Sequence, residues 1–229
     1  YNSSEVSEFD NGLLKAFNLT LTPTNGNINI TEVGLDEPVR FNPEDYGICK
    51  LTAKIENVEY TTTLETADGT TFSDLNFVIN GNDNDTIVLD NDYIYNPAFD
   101  YDLTGGIVID RPVTIIGNGH TLNATGLARI FNIQADNVTI ENITFTNGKR
   151  VDNGGAIFWR GANGNVSGCT FVNNYAKFDG GAIYWIHGYD SIVSNCSFAD
   201  NSVQFDGAAM YYVASAGSVV TKNRIILKF

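Results

Sequence analysis

The chain has few positively charged residues and few histidines, and both shortages restrict its function. Lysine and arginine together number 13 against 27 acidic residues, so the net charge is −14 and neither nucleic acid nor an anionic membrane is an expected partner. The two histidines, His120 and His187, have no visible nucleophile partner, so nothing supports a hydrolase triad. No run of 18 apolar residues occurs, and we expect no membrane insertion by this segment.

Helical periodicity is also missing, and an internal repeat is present instead. Residues 130–229 show no convincing 3.6-residue apolar period. A glycine-alanine motif and a phenylalanine return in step, at spacings of 26 and then 27 residues. Such a unit buries its apolar face only against copies of itself, so the repeats predict a solenoid. The motif begins at Gly154, Gly180 and Gly207, and the phenylalanines are Phe145, Phe171 and Phe198.

The residue pattern within each repeat is typical of β-strands. Apolar residues alternate in runs rich in threonine, asparagine and β-branched residues, bounded by asparagine and glycine clusters. Three short strands and three turns in each repeat describe one coil of an all-β, parallel β-helix. Each strand then pairs with its equivalent in the next coil, about 4.8 Å away. We predict this fold for residues 67–229.

Stacking places equivalent positions in columns. Ile143, Cys169 and Cys196 form one column, on the same inward face as the phenylalanine column. The Cα atoms of Cys169 and Cys196 would lie about 4.8 Å apart, which a disulfide tolerates, but their parallel Cβ directions would strain it. Small buried side chains are the favoured interpretation and a disulfide is the alternative, with Cys49 left over. Neither has a neighbouring histidine, so metal binding is disfavoured.

Residues 1–66 precede the predicted β-helix and have a different sequence pattern. Residues 1–66 are predicted to be a β-rich region of unknown fold, because apolar residues alternate with threonine at 17–21 and 60–64. Three prolines are expected to break these strands. They are Pro23, Pro38 and Pro43.

The two ends of the solenoid call for caps. Residues 71–79 are the one plausible helix, with Ser73 as its N-cap, and this helix would seal the open end of the first coil. At the other end a further coil starts at Val219 and no cap follows. Either the natural protein continues beyond Phe229, which is the favoured interpretation, or the charges of Lys222, Arg224 and Lys228 protect the exposed edge.

Two sets of segments resemble known surface proteins. The first set resembles the start of the β-helix in adhesin-like surface proteins of methanogenic archaea, and it comprises residues 71–75, 87–90, 106–109, 113–120 and 129–133. The Gly-Gly-Ala-Ile units, with residues 171–174 and 198–201, resemble the repeats of polymorphic outer-membrane proteins of chlamydiae. The resemblance covers roughly residues 70–217 and implies a secreted, surface-displayed, right-handed parallel β-helix with an adhesive role.

Asn-x-Ser/Thr triplets agree with an extracellular glycoprotein. Asparagine-rich turns also generate such triplets by chance, so each one alone is weak evidence, but their density fits secretion. The predicted acceptors are Asn2, Asn18, Asn29, Asn84, Asn123, Asn137, Asn142, Asn165 and Asn195.

An aromatic column follows the glycine-alanine motif and is the leading candidate site. Two columns are adjacent there, Phe158/Tyr184/Tyr211 and Trp159/Trp185/Tyr212, and neighbouring residues of a strand face opposite sides. Arg160 is unlikely to be buried, so the first column is predicted to point outward and the tryptophans inward. Exposed rings about 4.8 Å apart would stack on sugar rings or on another protein. The alternative is that loops or the N-terminal region cover them.

Two acidic patterns are weaker candidates. Asn153, Asp179 and Asp206 form a column that, with Arg160, would suit a polysaccharide lyase or hydrolase. Their place before a small pair makes them turn residues first. A stretch of six aspartates offers oxygen ligands for Ca²⁺, but its spacing matches no calcium loop, so a solvated loop is the default. These are Asp83, Asp85, Asp90, Asp92, Asp100 and Asp102.

The sequence thus leaves three functions open. The first is an adhesin-like protein at the cell surface that binds a surface glycan or a protein of another cell through a flat β-helix face. The second is the polysaccharide-cleaving enzyme, and the third is a structural stalk. Binding ranks first because no recognisable catalytic constellation is present. No cofactor is expected apart from the calcium alternative.

Overall fold

The computed structural model describes residues 18–26, 47–55, 58–66, 70–81, 83–214 and 216–226. The chain divides into two compact units, Tyr1–Gly69 and Thr70–Phe229.

In the first unit the described residues form a three-stranded antiparallel sheet in the order β1-β2-β3. Pro23 lies inside a strand, which corrects the expectation that it breaks one. Its strand lies at the edge of the sheet, where a proline is tolerated, and the pairing register shifts between Pro23 and Asn25. Pro38 and Pro43 lie outside the described residues. The strands are β1 (Asn18–Gly26), β2 (Gly47–Ile55) and β3 (Val58–Thr66).

The second unit begins with the predicted helix, α1 (Phe72–Asn80), which buries Phe72, Leu75 and Ile79. Its N-cap is Thr71 and not Ser73, so that prediction was wrong. Thr71 forms a capping box, because its hydroxyl accepts from the Asp74 amide and the Asp74 carboxylate accepts from the Thr71 amide. The Ser73 hydroxyl instead donates to the Asp100 carboxylate at 2.7 Å.

Five coils and the start of a sixth follow α1. Coil one contains β4 (Thr86–Val88), β5 (Tyr93–Ile94), a 3-10 turn (Leu103–Gly105) and β6 (Ile107–Ile109). Coil two contains β7 (Val113–Ile116), β8 (Thr121–Asn123) and β9 (Phe131–Ile133). Coil three contains β10 (Val138–Glu141), β11 (Thr144–Thr146), β12 (Lys149–Arg150) and β13 (Ile157–Arg160). Coil four contains β14 (Asn165–Ser167), β15 (Thr170–Val172), β16 (Tyr175–Ala176) and β17 (Ile183–Ile186). Coil five contains β18 (Ile192–Ser194), β19 (Ser197–Ala199), β20 (Ser202–Val203) and β21 (Met210–Val213). Coil six starts with β22 (Val219–Thr221) and β23 (Arg224–Ile226).

Equivalent strands pair in parallel and form long faces, which confirms the predicted parallel β-helix. Sheet A has the order β22-β18-β14-β10-β7-β4, sheet B the order β23-β19-β15-β11-β8-β5, and sheet C the order β21-β17-β13-β9-β6. A fourth, short sheet D (β12-β16-β20) was not predicted. It forms because coils three to five each add a two-residue strand between sheets B and C.

Aromatic stacks run through the core along the axis. Phe145, Phe171 and Phe198 are buried, and their ring centroids lie 4.9 Å apart at 5° between planes. Trp159 and Trp185 stack at 4.1 Å and are also fully buried. These stacks confirm the inward columns. They stabilise the solenoid because each ring contacts its copies in the neighbouring coils.

The cysteine column is buried as predicted, and Cys169 and Cys196 are free thiols. The pKa of the Cys169 thiol is raised, first by its hydrogen bond to Cys196 and then by burial. These thiols therefore act as small apolar side chains in the core.

The corners use glycine and asparagine for different reasons. A Cβ on Gly155 would lie 2.2 Å from the Gly181 carbonyl oxygen, so the glycine pair allows neighbouring coils to approach closely. The buried Asn174 carboxamide accepts from the Gly148 amide at 2.8 Å and donates to the Phe145 carbonyl at 3.1 Å. Hydrogen bonds of this kind satisfy backbone groups that leave the strands at a corner.

Candidate functional site

The outward side of sheet C carries the predicted aromatic column. In β13 burial alternates, so Ile157 and Trp159 are buried while Phe158 is half-buried and Arg160 is exposed. Parallel pairing places Phe158 beside Tyr184 and Tyr184 beside Tyr211. We call Phe158, Tyr184 and Tyr211 the aromatic ladder. It lies on the face opposite the tryptophans, as the exposed position of Arg160 predicts.

The rings of the aromatic ladder are nearly parallel. Phe158 and Tyr184 have centroids 5.5 Å apart with 17° between planes, and Tyr184 and Tyr211 have centroids 5.8 Å apart with 10° between planes. All three side chains are half-buried. The rings support one another along the axis and leave part of each ring in contact with solvent, which is the geometry of a stacking platform.

A buried arginine fixes the first ring of the ladder. The Arg129 guanidinium lies 5.2 Å from the Phe158 centroid and is nearly inaccessible to solvent. It donates to the carbonyl oxygens of Gly154 and Asn153 and to the Asp152 carboxylate. Burial lowers the pKa of Arg129 to about 10, against the opposing effect of Asp152, so the group is charged at neutral pH. A cation held over the ring orients it.

Burial and neighbouring charges keep Tyr184 of the ladder protonated. Burial raises the pKa of Tyr184, the charges of Asp179 and then Tyr211 raise it further, and Arg160 opposes them. The Tyr184 hydroxyl is therefore a hydrogen-bond donor at neutral pH. A ligand lying on the ladder would meet this hydroxyl and the exposed Arg160 side chain.

The aromatic ladder does not extend into coils one and two of sheet C. The register places Asn132 beside Phe158 and Val108 beside Asn132, so the same outward row continues without aromatic rings in coils one and two. Arg160, Ile186 and Val213 form the neighbouring outward row of coils three to five. The stacking surface is therefore restricted to those three coils.

The Asn153/Asp179/Asp206 column is built into the corner next to sheet C. The Asn153 carboxamide oxygen accepts from the Asp179 amide at 2.9 Å, and one Asp179 carboxylate oxygen accepts from the Asp206 amide at 3.1 Å. These contacts are those of turn residues. The column also lines a shallow cleft of about 380 Å³ together with Phe178 and Phe205, and Arg160 is not part of its lining.

The aspartate-rich stretch is mostly exposed, but one member departs from the predicted solvated loop. Asp100 is fully buried and accepts hydrogen bonds from the amides of Phe72, Ser73 and Asn96. A carboxylate at the first turn of α1 satisfies backbone groups there. In coil one, Asp92 accepts from the Thr121 amide and contacts His120 at 3.0 Å, and these bonds lower its pKa. Within the described ranges no group of three or more histidine, cysteine, aspartate or glutamate residues could hold a metal ion.

The glycosylation acceptors remain predictions. Asn84, Asn137, Asn142 and Asn195 are exposed, and Asn123 and Asn165 are half-buried. Asn18 is the first residue of β1, while Asn2 and Asn29 lie outside the described residues.

Arg129 and Asp100 are the residues that sequence reasoning missed. Arg129 is a basic residue between the apolar residues Ala128 and Ile130, and that position is the signal that was available. Asp100 gives no comparable signal, because its partners on α1, Phe72 and Ser73, lie 28 and 27 residues earlier in the chain.

Comparison with known proteins agrees with the β-helix fold. The family model described as right handed beta helix region matches residues 75–227. No curated protein and no solved structure matches the chain. Among the described residues, no helix is long and apolar enough to cross a membrane.

Proposed function

Because the chain belongs to the right-handed β-helix family, whose members combine one scaffold with different surface sites, we propose that this protein is a cell-surface, adhesin-like binding protein. Its ligand in this proposal is a surface glycan of another cell, held on the outward side of sheet C. The aromatic ladder carries the proposal, since three aligned and partly exposed rings recur at the step of the coils. Sugar rings present apolar faces that stack on such rings.

Two further features support glycan binding, and a third supports display at the cell surface. Arg129 fixes the first ring, so little order has to be gained when a ligand binds. The Tyr184 hydroxyl and the Arg160 guanidinium lie beside the rings and suit sugar hydroxyls. The resemblance to adhesin-like surface proteins and the many glycosylation triplets support display outside the cell.

A glycan array tests this proposal. The intact protein is compared with a Phe158→Ala/Tyr184→Ala/Tyr211→Ala variant and with a matched control, Thr144→Ala/Thr170→Ala/Ser197→Ala. The control changes one outward column of sheet B in the same three coils. Circular dichroism confirms that each variant is folded. Selective binding that the ladder variant loses and the control keeps is the expected result, while absence of selective binding by the intact protein contradicts glycan recognition.

A polysaccharide-cleaving enzyme is the second candidate, favoured by one observation. Asp179 and Asp206 line a cleft of about 380 Å³, and paired carboxylates can act as acid and base. Against this, the Asp179 carboxylate is engaged by the Asp206 amide. Incubation with acidic and neutral polysaccharides, followed by an assay for new reducing ends, tests the enzyme. Activity that disappears in Asp206→Asn would establish it, and a complete absence of cleavage would remove it.

A further inference from the structure

Two exposed phenylalanine rings line the shallow cleft at the corner before sheet C. Phe178 is 42% exposed and Phe205 is 65% exposed, and their ring centroids lie 5.7 Å apart with 49° between planes. The inward aromatic stacks already fill the core of these coils, so the two rings are not needed there. Large apolar side chains that stay together at the surface indicate a place where a ligand or a partner binds.

The corner holds both rings in fixed positions. Each ring directly precedes an aspartate of the Asn153/Asp179/Asp206 column, so the two rings occupy equivalent positions in neighbouring coils. The Gly154 amide donates to the Asp179 carbonyl and the Gly180 amide donates to the Asp206 carbonyl, both at 3.0 Å. These hydrogen bonds connect successive coils at the corner. The rings and the adjacent carboxylates are therefore preorganised for a ligand.

The charge of the cleft favours a cation. Two of its five described lining residues are aspartates and none is basic. One Asp179 carboxylate oxygen accepts from the Asp206 amide. Among the described residues, no hydrogen bond reaches the other Asp179 oxygen or either oxygen of the exposed Asp206 carboxylate. Three carboxylate oxygens are therefore available to a hydrogen-bond donor from outside the chain.

The aromatic rings favour a cation as well. Aromatic faces attract cations, and the Lys177 ammonium already lies 5.6 Å from the Phe178 centroid. Within the described part of the chain, no cation lies over Phe205. The exposed Phe205 ring and the adjacent Asp206 carboxylate therefore leave a position for an external cation.

A guanidinium group fits this position better than other organic cations. It is planar, stacks on aromatic faces and donates two parallel hydrogen bonds to a carboxylate. A quaternary ammonium has no N–H to donate, and a lysine ammonium is a strongly hydrated point charge. Small-molecule sites enclose most of their ligand, whereas this cleft is shallow and its rings stay exposed. Such a cleft suits a side chain that a larger partner presents.

We infer that this cleft binds an arginine side chain of a partner protein. The guanidinium stacks on Phe205 and pairs with the Asp206 carboxylate and the available Asp179 oxygen, while the methylene stem packs against Phe178. This gives the two aspartates a binding role in place of the catalytic role considered above. The cleft shares no residue with the aromatic ladder, so the inference does not depend on glycan binding.

Titration of the intact protein with acetyl-Gly-Arg-Gly-amide tests the inference. Backbone amide NMR signals follow the binding, because they also measure weak affinities and identify the residues affected. The signals of residues 178–179 and 205–206 should shift. The arginine peptide should bind at least about fivefold more tightly than the same peptide with citrulline, which has a similar shape and no charge. It should also bind more tightly than the lysine peptide and than methylguanidinium, which lacks the stem.

Three variants test the roles of single side chains. Asp206→Asn should weaken binding of the arginine peptide by about tenfold, because it removes a charge-assisted hydrogen bond. Phe205→Leu should weaken it by about two- to fivefold, since leucine keeps an apolar side chain and removes the ring. Lys177→Gln should strengthen it by about twofold, because it removes a competing cation beside Phe178.

Two matched controls lie outside the cleft. Asp110→Asn removes one exposed carboxylate and changes the net charge by the same amount, and Phe77→Leu removes a ring that is 70% exposed. Both should bind the arginine peptide like the intact protein. Circular dichroism verifies the folding of every variant, and all of them change exposed side chains.

Four results would overturn the inference. They are equal binding of the arginine and citrulline peptides, equal effects of Asp206→Asn and Asp110→Asn, equal effects of Phe205→Leu and Phe77→Leu, and no shift of the signals from the cleft. Methylguanidinium that binds as tightly as the arginine peptide would overturn the assignment to a partner protein, because a free guanidino compound would then suffice.

Discussion

Replacement of Phe171 by alanine removes the middle ring of the phenylalanine stack. The side chain is fully buried, and a ring lies 4.9 Å away on each side at 5° between planes. Deleting a buried phenylalanine side chain costs about 3–5 kcal/mol, and each lost ring pair adds about 0.5–1.5 kcal/mol. Because two ring pairs are lost, we expect the free energy of unfolding to fall by at least about 4 kcal/mol. The neighbouring rings cannot close the gap without breaking the register of the strands.

The position in the stack gives an internal comparison. Phe198 contacts a ring on one side only, since Ile225 occupies the equivalent position in coil six. Phe198→Ala should thus cost measurably less than Phe171→Ala. Phe178→Ala is the surface control, because that ring is 42% exposed, and it should change stability by less than about 1 kcal/mol.

Urea unfolding followed by circular dichroism and by tryptophan fluorescence measures these differences. Trp159 and Trp185 are buried in coils three and four and report on the same region. Coincidence of the two signals shows whether a single unfolding transition is a valid description. If Phe171→Ala unfolds at the same urea concentration as Phe178→Ala, the argument that stacked rings stabilise the solenoid is refuted.

Three further predictions follow from buried groups. Asn174→Ala should cost at least about 2 kcal/mol in urea unfolding, because it leaves two backbone groups of coil three, the Gly148 amide and the Phe145 carbonyl, without their partner. A loss below about 0.5 kcal/mol would contradict this role. Cys169 should react with a thiol reagent only after unfolding, since its thiol is buried beside Cys196 with a raised pKa, and rapid labelling of the folded protein would show that the core is open. Burial, followed by the charge of Asp90, raises the pKa of Tyr93 to about 12. The stability that this tyrosine contributes is present below about pH 10 and is lost as the pH rises towards 12. Tyr93→Phe should therefore reduce the fall in the free energy of unfolding between these pH values, and an unchanged fall would contradict the prediction.

The repeat spacing made most of the β-helix predictable. Phenylalanines at spacings of 26 and 27 residues have only one arrangement in which their strands pair in register, and the pairing of Phe145 with Phe171 and of Phe171 with Phe198 follows it. The exposed charge of Arg160 also fixed the orientation of β13, and therefore of the aromatic ladder. The spacing of the phenylalanines and the charge of Arg160 can be read directly from the sequence, so both features could be used to predict the fold.

Contacts between distant residues were not predictable in the same way. Thr71 and Ser73 are both good N-caps, and the choice depends on Asp100, whose carboxylate engages Ser73 across 27 residues. Arg129 is buried because carbonyl oxygens of the next coil satisfy it, which no local pattern reveals.

The most direct test of the proposed binding face is a titration of the oligosaccharide that gives the strongest array signal, in lengths from two to four sugar units. Three rings at the step of the coils predict that affinity rises with length by about two- to tenfold for each added sugar that stacks, until the ladder is covered. Tyr184→Ala, which removes the middle ring, should abolish this rise, and Thr170→Ala should leave it intact. An affinity independent of length, or a rise that survives Tyr184→Ala, would contradict binding on the aromatic ladder.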